Sequence, residues 1–226
     1  MGNTLSFKKI LIILIPLLAI LIAYFSLTSK EEKEPIPEMT VQEKKARFVS
    51  IVLPVAQNVY AQLQERYHDV SEKLKAGEQF ENLKEEYGAS NDEELLMALK
   101  PHPVSITLAQ AAMESSWATS RFFREANNIF GVWSFDENDE RIAASEKRGD
   151  KTIWLKKYSS VEASINDYYR TLARGKAYVE FRRLNLTISD PYELVKKLDK
   201  YSEKGALYGE ELTSIIKFNK FYEHDS

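Results

Sequence analysis

Leu108-Ala109-Gln110-Ala111-Ala112-Met113-Glu114-Ser115-Ser116-Trp117 is the stretch on which the fold turns, and its one charged residue is Glu114. It belongs to a helical pattern running from Ser105 to about Glu125. On a helix, the neighbours of Glu114 at three- and four-residue spacing are Gln110, Ala111, Trp117 and Ala118. Small apolar side chains and an indole withhold water from a carboxyl and raise its pKa. The alanines also leave room above the helix for a ligand. A carboxyl kept protonated near neutral pH suits general acid chemistry. The competing reading is structural, with Glu114 bonding a helix terminus or pairing with Arg121. A lone acid in a helix does not choose between them.

Downstream, the texture changes between Phe130 and Tyr158. Gly131-Val132-Trp133-Ser134-Phe135 and Thr152-Ile153-Trp154-Leu155 are aromatic and β-branched, and the polar stretch Asp136–Lys151, with Gly149, separates them. That pattern predicts a small irregular β-hairpin. Ser159 with Glu162 opens a helix through Leu172, and a further helical run covers about Lys176–Leu184. Asp190-Pro191 starts another, with Asp as N-cap and Pro in the first turn. Tyr201-Ser202-Glu203-Lys204-Gly205 reads as a loop before a last helix at about 207–222.

Upstream, Pro101-His102-Pro103 stops a short helix over 91–99, and residues 78–90 read as a turn-rich connection. Thr40 with Glu43 is a capping-box signal for a long helix to about Lys75. Its apolar positions Phe48, Ile51, Val52, Val55, Val59 and Leu63 recur as one packed face requires, while Pro54 predicts a kink or a break. Residues 28–39, with charges of mixed sign, Pro35 and Pro37, read as an extended linker. Ahead of it, Ile10–Leu27 is an uncharged apolar run preceded by Lys8 and Lys9. About 20 apolar residues span a bilayer as a helix. The flanking lysines keep residues 1–9 in the cytoplasm and send the remainder across. A cleaved signal peptide is the alternative; against it, the run exceeds the usual ~7–15 residue core, and Ala23-Tyr24-Phe25 lacks a small-x-small cleavage pattern.

The 226 residues are 44% hydrophobic and 29% charged, a globular composition. With 31 basic against 34 acidic residues the net charge is −3, which gives no reason to expect nucleic-acid binding. The absence of cysteine excludes disulfides, thiolate nucleophiles and cysteine metal sites. His68, His102 and His224 are too scattered to suggest a histidine metal site, and no cofactor is expected.

The motif around Glu114, followed by Ser120-Arg121-Phe122 and Asn127-Asn128-Ile129-Phe130-Gly131-Val132-Trp133, closely resembles the bacterial peptidoglycan glucosaminidase family, with its A-x-E-S-x-W helix and N-N-x-F-G turn. Leu198-Asp199-Lys200-Tyr201-Ser202-Glu203-Lys204-Gly205, then Tyr208, Glu210 and Glu211, and the Lys44–Arg66 helix look most like its Bax-type branch. The resemblance spans roughly residues 40 to 222 and is most specific from Glu114 to Gly131. It implies a mainly α, α+β lysozyme-like fold: a helical lobe with a small β-hairpin lobe inserted, here with an N-terminal transmembrane helix. It implies a catalytic domain at 101–226 preceded by a helical extension at 40–100. Glu114 would be the general acid, and the substrate a glycan bearing N-acetylglucosamine. Ser116 stands where the family usually has glycine, a change expected to matter little within a helix.

In that family a second carboxylate comes from the β-lobe. Candidates are Asp136, Glu137, Asp139, Glu140, Glu146 and Asp150, with Glu146 nearest to the family's acidic position, about twelve residues before Tyr158. A single-acid mechanism, with the substrate's acetamido oxygen as nucleophile, stays open. Asn127 and Asn128 either hydrogen-bond sugar hydroxyls or turn the chain into the β-lobe. Trp133 and Tyr201 are candidates to stack on sugar faces, while Trp117 and Trp154 suit a core. The expected protein is an endo-β-N-acetylglucosaminidase on the outer face of the cytoplasmic membrane, held by residues 10–27 and acting on the peptidoglycan glycan strand. A non-catalytic wall-binding or scaffold module of the same fold is the alternative. A zinc amidase is a third reading, poorly served by three scattered histidines.

Overall fold

The structure, a computed structural model, describes residues 38–225, with the side chains of 146–148 outside what it describes. The span expected at 10–27, its cytoplasmic flank and most of the linker also lie outside the described residues. Among the described residues, no helix is long and apolar enough to cross a membrane.

Helix α1 (Val41–Lys75) opens on a complete capping box: Glu43 N–H donates to Thr40 Oγ1, and Thr40 N–H donates to Glu43 Oε2 at 2.7 Å. Its stripe Phe48, Val52, Ala56 and Val59 is wholly buried, and Ile51, Val55 and Leu63 pack at the edge of the same core. Pro54 does not break it. The ring faces solvent beside an exposed Ser50, so the Ser50 carbonyl that loses its helical partner can meet water.

Residues 78–90, expected as turns, contain helix α2 (Glu81–Tyr87), ended by Gly88 at φ 64°. Its Leu83 and Tyr87, one turn apart, pack with Phe80 against Val70 of α1 and Leu95 and Leu99 of α3 (Asp92–Leu99). Seven residues are too short for a helix to show by period alone; the satellite core holds it.

Helix α4 (Val104–Glu114) is buried at every residue from Val104 to Ala112, its polar Ser105, Thr107 and Gln110 included. It lies against α1 and against the last long helix, α9, defined below. Its own N-cap, Pro103, offers no side chain. Asp225, at the far end of the chain, fills the gap, accepting from Ser105 N–H at 2.8 Å and Ser105 O–H at 2.6 Å.

Helix α5 (Arg121–Ala126) leads into an antiparallel hairpin of β1 (Arg141–Arg148) and β2 (Lys151–Lys156), joined through Gly149 at φ 63°. The polar stretch expected as a connector thus forms β1. Residues 131–135 contribute only a bridge, Trp133 opposite Leu155. The charged and small residues of Arg141–Arg148 hide the apolar–polar alternation that marks a half-buried strand. The register is interrupted between the pairs Ala143–Trp154 and Lys147–Thr152, so residues 144–146 bulge opposite Ile153.

The chain returns through α6 (Val161–Arg174), capped by Ser160, then α7 (Val179–Thr187), the short α8 (Pro191–Leu194) capped by Asp190, and α9 (Ala206–Phe218). Tyr168, Phe181, Leu194, Tyr208, Leu212 and Ile216 join the α1 stripe and α4 in one core. Residues 40–100 therefore do not stand apart from 101–226: the α1 stripe is interior to both.

Replacing Phe48, which meets Trp117 edge-on at 5.3 Å and Phe221 at 6.4 Å, with alanine is expected to cost about 3–5 kcal/mol. Urea unfolding is the check, with a lowered midpoint and unchanged slope.

Candidate active site

The helix expected to run to Glu125 stops at Glu114. Ser116, Trp117 and Ala118 follow at φ 52°, 62° and 58°, a left-handed turn built without glycine. The turn is tied down on both sides. Trp117 N–H reaches back to Ala112 O at 2.8 Å, and Ser115 O–H donates to Ala111 O while its oxygen accepts from Ala118 N–H at 2.8 Å. Arg47 of α1 donates to Ala118 O at 3.2 Å. Ser116 is thus not in a helix, and the expectation that serine is neutral there fails: glycine reaches φ > 0 without strain, serine does not.

That break leaves Glu114 on the last turn of α4, at the negative end of the helix, where an anion is disfavoured. Its side chain is mostly withdrawn from water. Burial holds its carboxyl above the ordinary value, against the opposing pull of the Tyr208 hydrogen bond and the Lys204 charge, while Glu211 adds to the rise. Tyr208 O–H donates to Glu114 Oε1 at 2.9 Å. Tyr201, half-buried in the loop before α9, stacks on Tyr208 with centroids 5.4 Å apart and planes at 14°.

Behind this trio lies a run of buried polar side chains bonded to one another. Gln110 Nε2 donates to the Tyr208 hydroxyl at 3.0 Å, and Tyr168 O–H donates to Gln110 Oε1 at 2.5 Å. The Tyr168 oxygen lies 3.0 Å from His102 Nε2. Burial pushes the His102 pKa down to about 3, so the ring is neutral. His102 also lines a cavity of about 470 Å³ that includes Tyr158 and Asn185 but not Glu114.

Trp117 is half-buried and packs against the core, between Phe48 and Phe221, with Lys45 Nζ 4.7 Å above its ring. Trp154, also expected in the core, is 36% exposed on the hairpin, under Arg141 at 4.6 Å. Trp133 is 41% exposed beside Phe135, which is 86% exposed.

The two asparagines turn the chain. Asn127 ends α5 at φ 50° and donates from Nδ2 to Tyr158 O at 2.9 Å. Asn128 is 1% exposed, donates from Nδ2 to Val132 O and Lys156 O, and accepts from Val132 N–H. Its amide is spent on the backbone of the β-lobe, which leaves it no free group for a sugar hydroxyl. Of the acidic candidates, Asp136 accepts from both Asn138 amides and Asp139 from Ser134 O–H. Glu137, Glu140 and Asp150 are exposed. Glu146 lies on the bulged stretch of β1, and its side chain is outside what the structure describes.

The structure therefore brings Glu114, Tyr201 and Tyr208 together, and leaves Asn127 and Asn128 as framework. Tyr208, Gln110, Tyr168 and His102 had no assigned role in the sequence. One signal was present: Gln110 is the polar residue one helical turn before Glu114, set among Leu108, Ala109, Ala111 and Ala112.

The sequence model of the glucosaminidase family, described as mannosyl-glycoprotein endo-beta-N-acetylglucosaminidase, matches residues 90–221. Protein bax of Escherichia coli K12 is 28% identical over 124 residues, 52% of this chain and 43% of its own. Exo-glucosaminidase LytG of Bacillus subtilis 168 is 37% identical over 79 residues, 33% of this chain and 28% of its own. The chain thus matches less than half the length of either curated relative. Among solved structures, a peptidoglycan hydrolase from Sphingomonas sp. A1 aligns with TM-score 0.51 and 16% identity over 79% of this chain and 91% of its own. An N-acetylmuramoyl-L-alanine amidase from Staphylococcus aureus aligns with TM-score 0.51 and 16% identity over 85% of this chain and 49% of its own. At such identities the likeness is one of fold.

Ser116→Gly is expected to relieve left-handed strain and stabilise by up to about 1 kcal/mol. For a domain of this size that is a rise of roughly 2–4 °C in thermal melting; a fall would refute the strain reading.

Proposed function

The chain belongs to the mannosyl-glycoprotein endo-beta-N-acetylglucosaminidase family, and from this premise we propose that it is a peptidoglycan hydrolase that cleaves the glycan strand at N-acetylglucosamine, with Glu114 as the general acid. The observation that carries the proposal is the state of Glu114, a carboxyl raised by burial, at the negative end of α4, beside two tyrosines. A carboxyl held above its ordinary pKa keeps its proton to higher pH and can give it to the leaving glycosidic oxygen as the C–O bond breaks.

Positive charge then develops at the sugar ring and has to be met from the other face. Glu146, on the β1 bulge, is the proposed partner, since bulges re-aim side chains at the rims of sites. The substrate's own acetamido oxygen is the other source of that stabilisation. Tyr201, beside the acid, and Trp133, exposed on the β-lobe, are the proposed sugar contacts. We further propose that residues 10–27 hold the domain on the outer side of the cytoplasmic membrane, next to its substrate.

Glu114→Gln keeps the volume and the acceptor for Tyr208 but cannot protonate a leaving group. It is expected to cut wall digestion by about 10²–10⁴-fold with melting unchanged; full activity would falsify the assignment. Mass spectrometry of the products tests the bond that is cut. Strand fragments with reducing-end N-acetylglucosamine are expected. Reducing-end or anhydro-muramic acid, or free stem peptide, would overturn the cleavage site, and release of single sugars would replace endo by exo action.

A further inference from the structure

We propose that a one-way chain of buried hydrogen bonds, from His102 through Tyr168 and Gln110 to Tyr208, fixes Tyr208 as a donor to Glu114 Oε1 and thereby places the acid's proton on Oε2. The role of that proton rests on the reading of Glu114 as general acid; the direction of the chain does not.

The direction follows from counting protons. An amide oxygen can only accept, so Tyr168, whose oxygen lies 2.5 Å from Gln110 Oε1, gives its single hydroxyl proton there. A separation of 2.5 Å suits O–H···O and is too short for N–H···O, so the Gln110 amide cannot be turned the other way. With its proton spent, the Tyr168 oxygen can only accept from His102 Nε2 at 3.0 Å, which makes His102 the Nε2–H tautomer. Thr107 agrees with this. It donates to the Tyr169 hydroxyl at 2.8 Å and presents lone pairs to the same Nε2 at 3.2 Å. At the other end, the Gln110 NH₂ donates to the Tyr208 oxygen at 3.0 Å, and Tyr208 sends its proton to Glu114 Oε1 at 2.9 Å.

Every member is held in place. His102 is 2% exposed and stacked on Tyr169 at 4.4 Å; Gln110 is wholly buried; Tyr168 is 1% exposed and stacked on Phe130 at 4.0 Å. Reversal would require the other His102 tautomer, a flipped Gln110 and a Tyr208 that donates inward, leaving Glu114 without its donor. An oxygen that accepts a strong hydrogen bond behaves as the carbonyl of a carboxylic acid, so the hydroxyl proton belongs on Oε2. The groups facing Glu114 are Tyr208 and Glu211 from α9, Tyr201 and Lys204 from the preceding loop, and the carbonyl end of its own helix. Tyr208 is the hydroxyl among them bonded to the carboxyl, and the chain decides which way that hydroxyl points.

Tyr168→Phe deletes one oxygen three hydrogen bonds from Glu114 and keeps the ring against Phe130. Gln110 then loses the partner that orients it, its amide turns, and the Tyr208 proton is drawn to Gln110 instead of Glu114. Hydrogen bonds to charged groups are worth about 1.5–3 kcal/mol, and one pH unit corresponds to about 1.4 kcal/mol. The Glu114 titration midpoint should therefore move up by about one pH unit. The measurement is a carboxyl ¹³C NMR titration of the full-length protein, with Glu114→Gln to assign the resonance. Tyr208→Phe should give the same upward shift. Gln110→Met, near in volume, breaks the chain at a second place should Tyr168→Phe fold poorly, and should shift the midpoint in the same direction. Phe130→Leu, which loosens the Tyr168 ring without cutting a hydrogen bond, should lower melting and leave the midpoint in place. In wall digestion by Tyr168→Phe, kcat should fall several-fold with KM unchanged. The loss of activity at high pH should shift upward, because a carboxyl with a raised midpoint stays protonated longer. A folded Tyr168→Phe with an unmoved Glu114 midpoint overturns the proposal. Wall digestion surviving in Glu114→Gln overturns the general-acid reading alone, since the titration judges the chain without reference to activity.

Discussion

Helix α4 is enclosed by protein over most of its length, and a buried polar side chain without a partner costs roughly 1–3 kcal/mol. The helix nevertheless carries Ser105, Thr107, Gln110 and Glu114. Each therefore needs a partner from elsewhere in the fold, and the partners come from three distant places. Asp225 at the C-terminal end takes Ser105; Tyr169 on α6 takes Thr107; Tyr168 on α6 and Tyr208 on α9 share Gln110; Tyr208 also takes Glu114. The same bonds that discharge the cost of burying these groups also clamp α6, α9 and the chain end around one helix. Stability and site geometry are served by one set of contacts.

Two opposed effects then set the condition of Glu114. Burial and the helix end disfavour its charge; Tyr208 and Lys204 favour it. Burial has the larger share, so the group sits above the ordinary carboxylate range but within reach of adjustment by a single hydroxyl. The left-handed turn at 116–118 is what halts α4 at this residue, and three strained backbone positions are the cost. The turn is over-determined by Ser115, by Ala112 and by Arg47 reaching across from α1, which is how such strain persists.

Much of this was legible in the sequence, wherever short-range chemistry dictated form. Thr40 and Glu43 announced a helix start because a capping box needs only four residues, and Asp190 before Pro191 did likewise. The charge-free surroundings of Glu114 announced a desolvated acid. What stayed hidden depended on distant partners. Nothing near Ser116 signals a left-handed turn, because Arg47 and the Ser115 hydroxyl impose it on residues that would otherwise continue a helix. Helix α2 is too short to show a period and exists because Val70 and Leu95 receive Leu83 and Tyr87. Strand β1 escaped notice because its sequence, Arg141–Arg148, is charged and small, the composition of a connector. Asn128 looked like a sugar ligand because its amide is generic; only the fold reveals that Val132 and Lys156 consume it.

Asp225 and the inner stripe of α1 both lie beyond residues 90–221, the segment that the family model matches. Phe48, Val52, Ala56 and Val59 each remove a side chain wholly from water, and burying a large aliphatic or aromatic one is worth about 1.5–3 kcal/mol. Their sum approaches the ~5–15 kcal/mol by which an entire domain is stable. A piece cut at residues 90 and 221 would carry every residue assigned to chemistry and yet lose this margin, together with the cap that Asp225 supplies. The matched segment and the packed unit have different edges: the packing takes in the α1 stripe from Phe48 onward and the cap that Asp225 places on Ser105.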